Sequence, residues 1–361
     1  MSGGGLGPLA SCHEEIQAAP TAYDAPTAVV PPEERGLARD EVRLAVVRPT
    51  ATTHTRVREL PELLHPGDLL VLNTSPTLPA AVDFRRAAGG RTPWSTLHFS
   101  TRLDDGSWVV ELRLPDASGP DRPDPGEVLR LPGGFRLRVR EPHPAGQERL
   151  WRATPLPAVA PTAYLAAHGR PIRYSHHRRG WPLTAVQNVY ADARPNQAAG
   201  SAEMPSAGRP LSERVLVRLL ARGVVVAPLT LHTGVSSQES HEPPQPEELM
   251  VPATTAALVN LARGSGRRVV AVGTTVVRAL ESSVAGDRVV PTAGWTSLVL
   301  GPGHPARVVD GLLTGLHAPE ASHRDLLAAV AGRELVERGY ADLAGRDYLA
   351  HEFGDSMLFL P

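Results

Sequence analysis

The sequence predicts an α/β protein, a mixed sheet with flanking helices, interrupted by a small antiparallel β-barrel. Three observations predict it. Beyond about residue 205, helical and extended runs alternate, the pattern of a sheet that is at least partly parallel. Residues 81–155 change to short alternating runs broken by Asp-Gly, Pro and Gly-Gly, which suits a small barrel or sandwich. Ahead of that insert, residues 41–75 already carry strands of the first kind. The 361-residue chain is therefore expected to comprise a flexible tail (1–20), a discontinuous α/β domain (21–80 plus 156–361) and an inserted barrel domain (81–155).

The elements follow in order. "EVRLAVVRP" is a strand; Leu60, Leu63 and Leu64 suggest a short helix, Pro66-Gly67-Asp68 a turn, and Leu69–Leu72 a buried strand ending at Asn73-Thr74-Ser75. "TLHFSTRL", "SWVVELRL", "EVLRLP" and "FRLRVREP" are the barrel strands. "PLSERVLVRLLARG" has the spacing of an amphipathic helix, "VVVAPLTLH" is a strand, and "PATTAALVNLARGSG" is a helix ending in glycine. In "RRVVAVGTTVVRALES", Val269–Val272 form a buried strand. From Val276 the apolar spacing becomes helical, so Gly273, Thr274 and Thr275 occupy a strand-to-helix corner. "TSLVLG" and "RVVDGLLTGLH" read as strands, and residues 318–343 as mostly helical.

Composition excludes several chemistries. No segment approaches the roughly 20 apolar residues needed to span a bilayer. The first twenty residues lack a basic and an apolar region, so no secretory signal is predicted and the cytoplasm is the expected location. Cys12 is the only cysteine, which rules out intramolecular disulfides and cysteine-ligated metal clusters. All 37 basic residues are arginine, so neither a Schiff-base lysine nor a P-loop lysine exists. A net charge of −1 argues against bulk attraction to nucleic acid but leaves room for a local patch.

The candidate site comes from the strand exits. In open α/β sheets, ligands sit outside the carboxyl ends of strands. Four exits carry small polar residues or histidine: Asn73-Thr74-Ser75, Thr230-Leu231-His232-Thr233-Gly234, Gly273-Thr274-Thr275 and Thr314-Gly315-Leu316-His317. Turn and capping chemistry accounts for any one of them alone. Four together point to a shared pocket, provided the strands are neighbours. No dinucleotide fingerprint, G-x-S-x-G elbow or H-E-x-x-H is present. His176-His177 are sequential, which makes joint metal ligation awkward; they are expected to be solvated, and no metal is expected. The segment "HGRPIRYSHHRRGW" gathers Arg170, Arg173, Arg178 and Arg179 with Tyr174 and Trp181. It is the best nucleic-acid candidate, since guanidinium groups clamp phosphate and aromatics stack on bases. An exposed basic loop would look the same.

"VVAVGTTVVRALES" is similar to a segment of the S-adenosylmethionine:tRNA ribosyltransferase-isomerase family of queuosine biosynthesis. "LPELLHPGDLLVLNTSPTLPA", "NVYA", "PSAG", "LTLHTG", "VVDGLLTGLHAPEAS" and "FGDSMLF" resemble further family segments in the same order, from about residue 30 to 361. The resemblance implies an α/β domain with a barrel insert. It also implies transfer and isomerisation of the ribosyl part of S-adenosylmethionine, a co-substrate and not a prosthetic group, onto a 7-aminomethyl-7-deazaguanine in tRNA. The products would be epoxyqueuosine, adenine and methionine. The sulfonium acidifies the ribose 5′ carbon, so a base there, a proton donor to adenine and polar groups at the ribose and methionine ends are required. His232 and His317 are the candidates for proton transfer. Asn73, Thr74, Ser206, Thr230, Thr233, Gly234, Gly273, Thr274, Thr275, Arg278, Glu281 and Thr314 are the candidates for substrate binding, with Arg278 expected to pair with Glu281. The chain departs from the family at Pro76 and Ala81, where the family has arginines. It also departs at Arg209-Pro210-Leu211, where the family has Leu-His-Phe, and in "EPPQPEELMVP", which keeps Glu247 but no histidine of H-x-M-H-S-E. Those departures leave two alternatives open: the same chemistry on a small-molecule acceptor, or a non-catalytic relative that binds tRNA or a nucleoside. A monomer with no membrane partner is expected.

Overall fold

Apolar, β-branched runs become strands here wherever both faces of the strand can be covered. A computed structural model describes residues 25–87, 93–116, 118–174, 176–177, 179–193, 199–235, 245–316 and 323–361. Its strands are β1 (Arg43–Val47), β2 (Thr52–Arg56), β3 (Leu69–Asn73), β4 (Ala81–Arg86), β5 (Ser95–Arg102), β6 (Trp108–Arg113), β7 (Pro120–Asp121), β8 (Val128–Arg130) and β9 (Arg136–Pro142). They continue with β10 (Leu150–Leu156), β11 (Val225–Leu231), β12 (Glu247–Val251), β13 (Val269–Val272), β14 (Val284–Ala285), β15 (Arg288–Val289), β16 (Thr292–Thr296), β17 (Gly311–Gly315) and β18 (Ser356–Phe359). The helices are α1 (Leu60–Leu63), α2 (Pro161–His168), α3 (Glu213–Ala221), α4 (Ala253–Gly264), α5 (Thr274–Ser282), α6 (His323–Ala331) and α7 (Arg333–Ala341).

Nine strands make one mixed sheet in the order β16-β12-β11-β3-β13-β17-β18-β1-β2. At its centre β11, β3, β13 and β17 are parallel, with Leu229 opposite Asn73, Ala271 opposite Val71 and Val272 opposite Leu313. Side chains alternate between the faces of a strand, and both faces are used. Leu69, Val71, Val269 and Ala271 pack under α4, α5, α6 and α7 through Val259, Val276, Leu280, Leu327 and Val336. Leu70, Leu72, Val270 and Val272 pack against α1 and α3 through Leu60, Val215 and Leu219. At the amino ends of the central strands, Arg268 Nε donates to buried Asp68 (3.0 Å), while Val269 N–H donates to Asp310 (2.8 Å). These contacts tie β3, β13 and β17 together at the edge opposite the exits.

The second sheet runs β10-β9-β8-β4-β5-β6-β7 and closes through pairing of β10 with β6, so six strands form a barrel. Trp108, Phe135 and Tyr164 stack in its apolar half. The other end holds a fully buried carboxylate, Glu111, which shares hydrogen bonds with His98 (2.9 Å) and Arg149 (3.0 Å). Burial pushes that carboxyl up, but His98, Arg149 and Arg113 outweigh burial and hold it below the usual carboxylate range. The barrel joins the α/β part where Ala81 and Arg170 exchange backbone hydrogen bonds. Gly169 is required there, because a Cβ would lie 2.0 Å from the Pro79 carbonyl oxygen.

One expected strand is absent. "TSLVLG" does not continue as a strand, because Thr296 Oγ1 accepts the Leu298 N–H (3.0 Å) and turns the chain, leaving Val299 57% exposed. The strand there is β16, just upstream. The expected tail at 1–20 lies outside the described residues. Among the described residues, no helix is long and apolar enough to cross a membrane.

Candidate active site

The four exits stand on adjacent parallel strands, at one edge of the sheet. Asn73, at the end of β3, is buried and spends its whole side chain on its neighbours. Its Nδ2 donates to the Leu231 carbonyl (2.8 Å) and to Thr275 Oγ1 (3.2 Å), and its Oδ1 accepts the Ser75 and Leu231 N–H groups (3.1 and 3.0 Å). Thr74 Oγ1 donates to the Leu229 carbonyl (3.1 Å). Asn73 and Thr74 therefore position the β11 and α5 termini. Thr314 is buried, whereas Thr230, His232, Thr233, Gly234, Thr274 and Thr275 stay partly exposed along that edge.

The corner between β13 and α5 needs its glycine. Gly273 has φ +90°, and a Cβ would meet the Ala207 methyl at 3.2 Å. That contact brings the turn Ser206–Gly208, and with it Ser206, beside the β13 exit. Thr274 and Thr275 open α5, so their N–H groups have no partner within the helix.

His232 is held from one side. Its Nδ1 lies 2.7 Å from Ser75 Oγ, which is 2.6 Å from Ser201 Oγ; Ser201 Oγ also accepts the Thr233 N–H (3.0 Å). Burial depresses the His232 pKa to about 4, so the imidazole is neutral at neutral pH and able to accept a proton. Thr233 Oγ1 donates to the Glu203 carbonyl (2.7 Å).

Arg278 does not pair with Glu281. It lies one turn into α5, buried, and forms an ion pair with Glu247 of β12 while Nε donates to the Leu298 carbonyl (3.1 Å). Glu281 instead accepts the Arg307, Val308 and Val309 N–H groups (2.9, 2.9 and 3.3 Å), fixing the approach to β17. The i, i+3 spacing allowed the expected pair; a longer-range carboxylate and unpaired backbone donors competed more strongly. Burial raises the Glu247 pKa, partly offset by Arg278 and by the Gly234 N–H. One guanidinium nitrogen of Arg278, Nη2, is buried without a partner.

The basic segment 168–181 borders a cleft of about 1,090 Å³ between barrel and α/β part. Its wall includes His98, Glu111 and Arg113 from the barrel, Arg170, Arg173 and Tyr174 from the segment, and Glu203 and Glu352 opposite. Arg170 pairs with Asp83 (2.6 Å) and Arg179 with Glu34 (3.0 Å) at the exposed surface, while Trp181 is buried, so the expected stacking tryptophan is withdrawn from any nucleic-acid surface. His177 is not solvated: a turn at Tyr174 buries it against Phe353, whereas His176 stays partly exposed on the cleft and bonds Glu352 (3.0 Å). His317 and Arg178 lie outside the described residues. Sequence reasoning missed Ser75 and Ser201 as partners of His232, although Ser75 stood within an exit already singled out; nothing in the sequence pointed to Ser201.

The family described as queuosine biosynthesis protein matches residues 22–359, nearly the whole chain. The chain belongs to that family. Curated relatives named S-adenosylmethionine:tRNA ribosyltransferase-isomerase include one from Acidithiobacillus ferrooxidans, 38% identical over 84% of this chain and 86% of its own length. Another, from Thermus thermophilus, is 34% identical over 89% and 93%. The crystal structure of an S-adenosylmethionine tRNA ribosyltransferase from Thermotoga maritima aligns with a TM-score of 0.51 and 27% identity, covering 94% of this chain and 99% of that one. The queuosine-family chain described here differs from the arginine pattern noted above in a structured way. Pro76 offers its carbonyl to Ser201 (2.8 Å), and Ala81 is the buried partner of Arg170. The arginines that do face the cleft come from β6 and the 170–173 segment instead.

Proposed function

We propose that this protein transfers and isomerises the ribosyl moiety of S-adenosylmethionine onto 7-aminomethyl-7-deazaguanine in tRNA, forming epoxyqueuosine and releasing adenine and methionine. The observation that carries the reading is the adjacency of the four strand exits on β11, β3, β13 and β17. A sulfonium nucleoside across that edge meets a neutral imidazole at His232 for proton transfer. The first-turn N–H groups of α5, with the Thr274 and Thr275 hydroxyls, suit the methionine carboxylate. Ser206, Thr230, Thr233 and Gly234 line the ribose side, and the Arg278–Glu247 pair stiffens the wall behind them. His317 is the second candidate for proton transfer. Arg113 and Arg173 in the adjoining cleft suit an RNA phosphate, and a tRNA substrate is in keeping with action in the cytoplasm.

The test is to incubate purified protein with S-adenosylmethionine and a tRNA carrying the deazaguanine. Adenine and methionine release that requires the tRNA, with a matching mass gain on the nucleoside, is the expected result. Release with only a small amine acceptor moves the chemistry to specialised metabolism. No release with either leaves a binding protein and overturns the reading.

A further inference from the structure

We infer that His176, His177 and Glu352 form a binding site for one divalent transition-metal ion of the zinc class, on the cleft between barrel and sheet. One ligand atom from each lies within 4.8 Å of the other two. His176 Nε2 is 3.0 Å and His177 Nε2 is 3.7 Å from the same Glu352 oxygen. Donors bound at about 2.1 Å around a tetrahedral ion stand roughly 3.4 Å apart, so both imidazole–carboxylate separations already match and the two imidazoles need only close from within 4.8 Å of each other.

A plain ion pair between His176 and Glu352 explains only part of this arrangement. His177 has a side chain 2% exposed, and its Nε2 is buried with no hydrogen-bond partner. An orphaned buried nitrogen is destabilising, and a bound cation would satisfy it while sharing the carboxylate with His176. The rings are already oriented: His177 stacks on Phe353 (4.9 Å) and His176 on His351 (4.7 Å) and on Tyr174 (5.6 Å). Such stacking holds imidazoles in place much as outer-shell partners do in metal centres. Two imidazoles and one carboxylate are a donor set for zinc or ferrous-type ions, not for magnesium or calcium. His176 and Glu352 are 22% and 17% exposed and both line the cleft, so a fourth coordination position would open towards it. The exposed guanidinium of Arg173 is the nearby like charge that the site must tolerate.

The site adjoins the strand-exit edge, where the His351 N–H donates to the Leu316 carbonyl (3.3 Å), but its test involves neither S-adenosylmethionine nor tRNA, so its failure leaves the transferase reading intact. Untagged full-length protein is stripped with a chelator, then titrated with zinc, and with cobalt(II) for its visible spectrum. One equivalent bound in the micromolar range or tighter, with a tetrahedral cobalt band, is expected. Glu352→Gln keeps the shape and a hydrogen bond to His176, and should weaken binding by more than about 100-fold, beyond the loss seen when an outer-shell partner is removed. His176→Ala should do the same, with unchanged circular dichroism certifying both variants. Absence of stoichiometric binding by the native protein overturns the inference, and so does undiminished binding by Glu352→Gln.

Discussion

At the residue scale, the proposed chemistry centres on His232. Ser75 fixes one ring nitrogen and burial keeps the ring neutral, which leaves the other nitrogen for substrate. His232→Ala is expected to lower tRNA-dependent adenine release by about 10²- to 10⁴-fold, the range of a lost general acid or base. A wild-type rate in this variant, measured beside His317→Ala, would remove the assignment. With a pKa near 4, His232 should contribute no fall in rate between pH 8 and 6. Much of this site was legible in the sequence, since Thr274, Thr275 and His232 all stood where a strand gives way to a loop or helix. Arg278 was not: helical spacing offered Glu281, and only the folded chain brings Glu247 of β12 across to it.

At the element scale, the site depends on β3 being the strand to which its neighbours are stitched. Asn73 makes four hydrogen bonds in a buried position, to β11, to α5 and to Ser75. Asn73→Ala leaves the Leu231 N–H and carbonyl without those partners and should destabilise the protein by about 3 kcal/mol. Denaturant unfolding checks this, and a change below about 1 kcal/mol would show that the stitch is dispensable. The helices α3, α4 and α5 and strands β3, β11 and β13 were readable because each satisfies its own period. Strands β2, β4, β10, β12 and β18 were not. "TTHTR" lacks an apolar face, and "EELMV" becomes a strand only because β11 and β16 flank it. The expected strand at 296–301 failed for the converse reason: a local threonine turn overrode an apolar run that no partner strand covers.

At the scale of the whole molecule, burial of titratable groups sets the response to acid. His232 is depressed to about 4, so between pH 6.5 and 4 the unfolded chain binds a proton that the folded chain does not. Stability therefore falls as pH drops through that window, by up to about 3 kcal/mol from this group. Glu111 and Asp68 are held below the usual carboxylate range, so their stabilisation is present above the unfolded carboxylate pKa and is lost at lower pH. Thermal melts should thus show a plateau above about pH 7 and a progressive loss below pH 6.5 that steepens below about 4.5. A melting temperature constant from pH 7 to 4 would contradict this account. The sequence by itself determined the α/β class, the barrel insert and the four polar strand exits, because local periodicity and turn chemistry are written in neighbouring residues. Only the tertiary structure decided that those exits are adjacent, that Ser201 and Glu247 join them, and that His176 and His177 converge on Glu352. Those contacts join residues far apart along the chain, and burial and backbone pairing select among many partners that local sequence leaves equivalent.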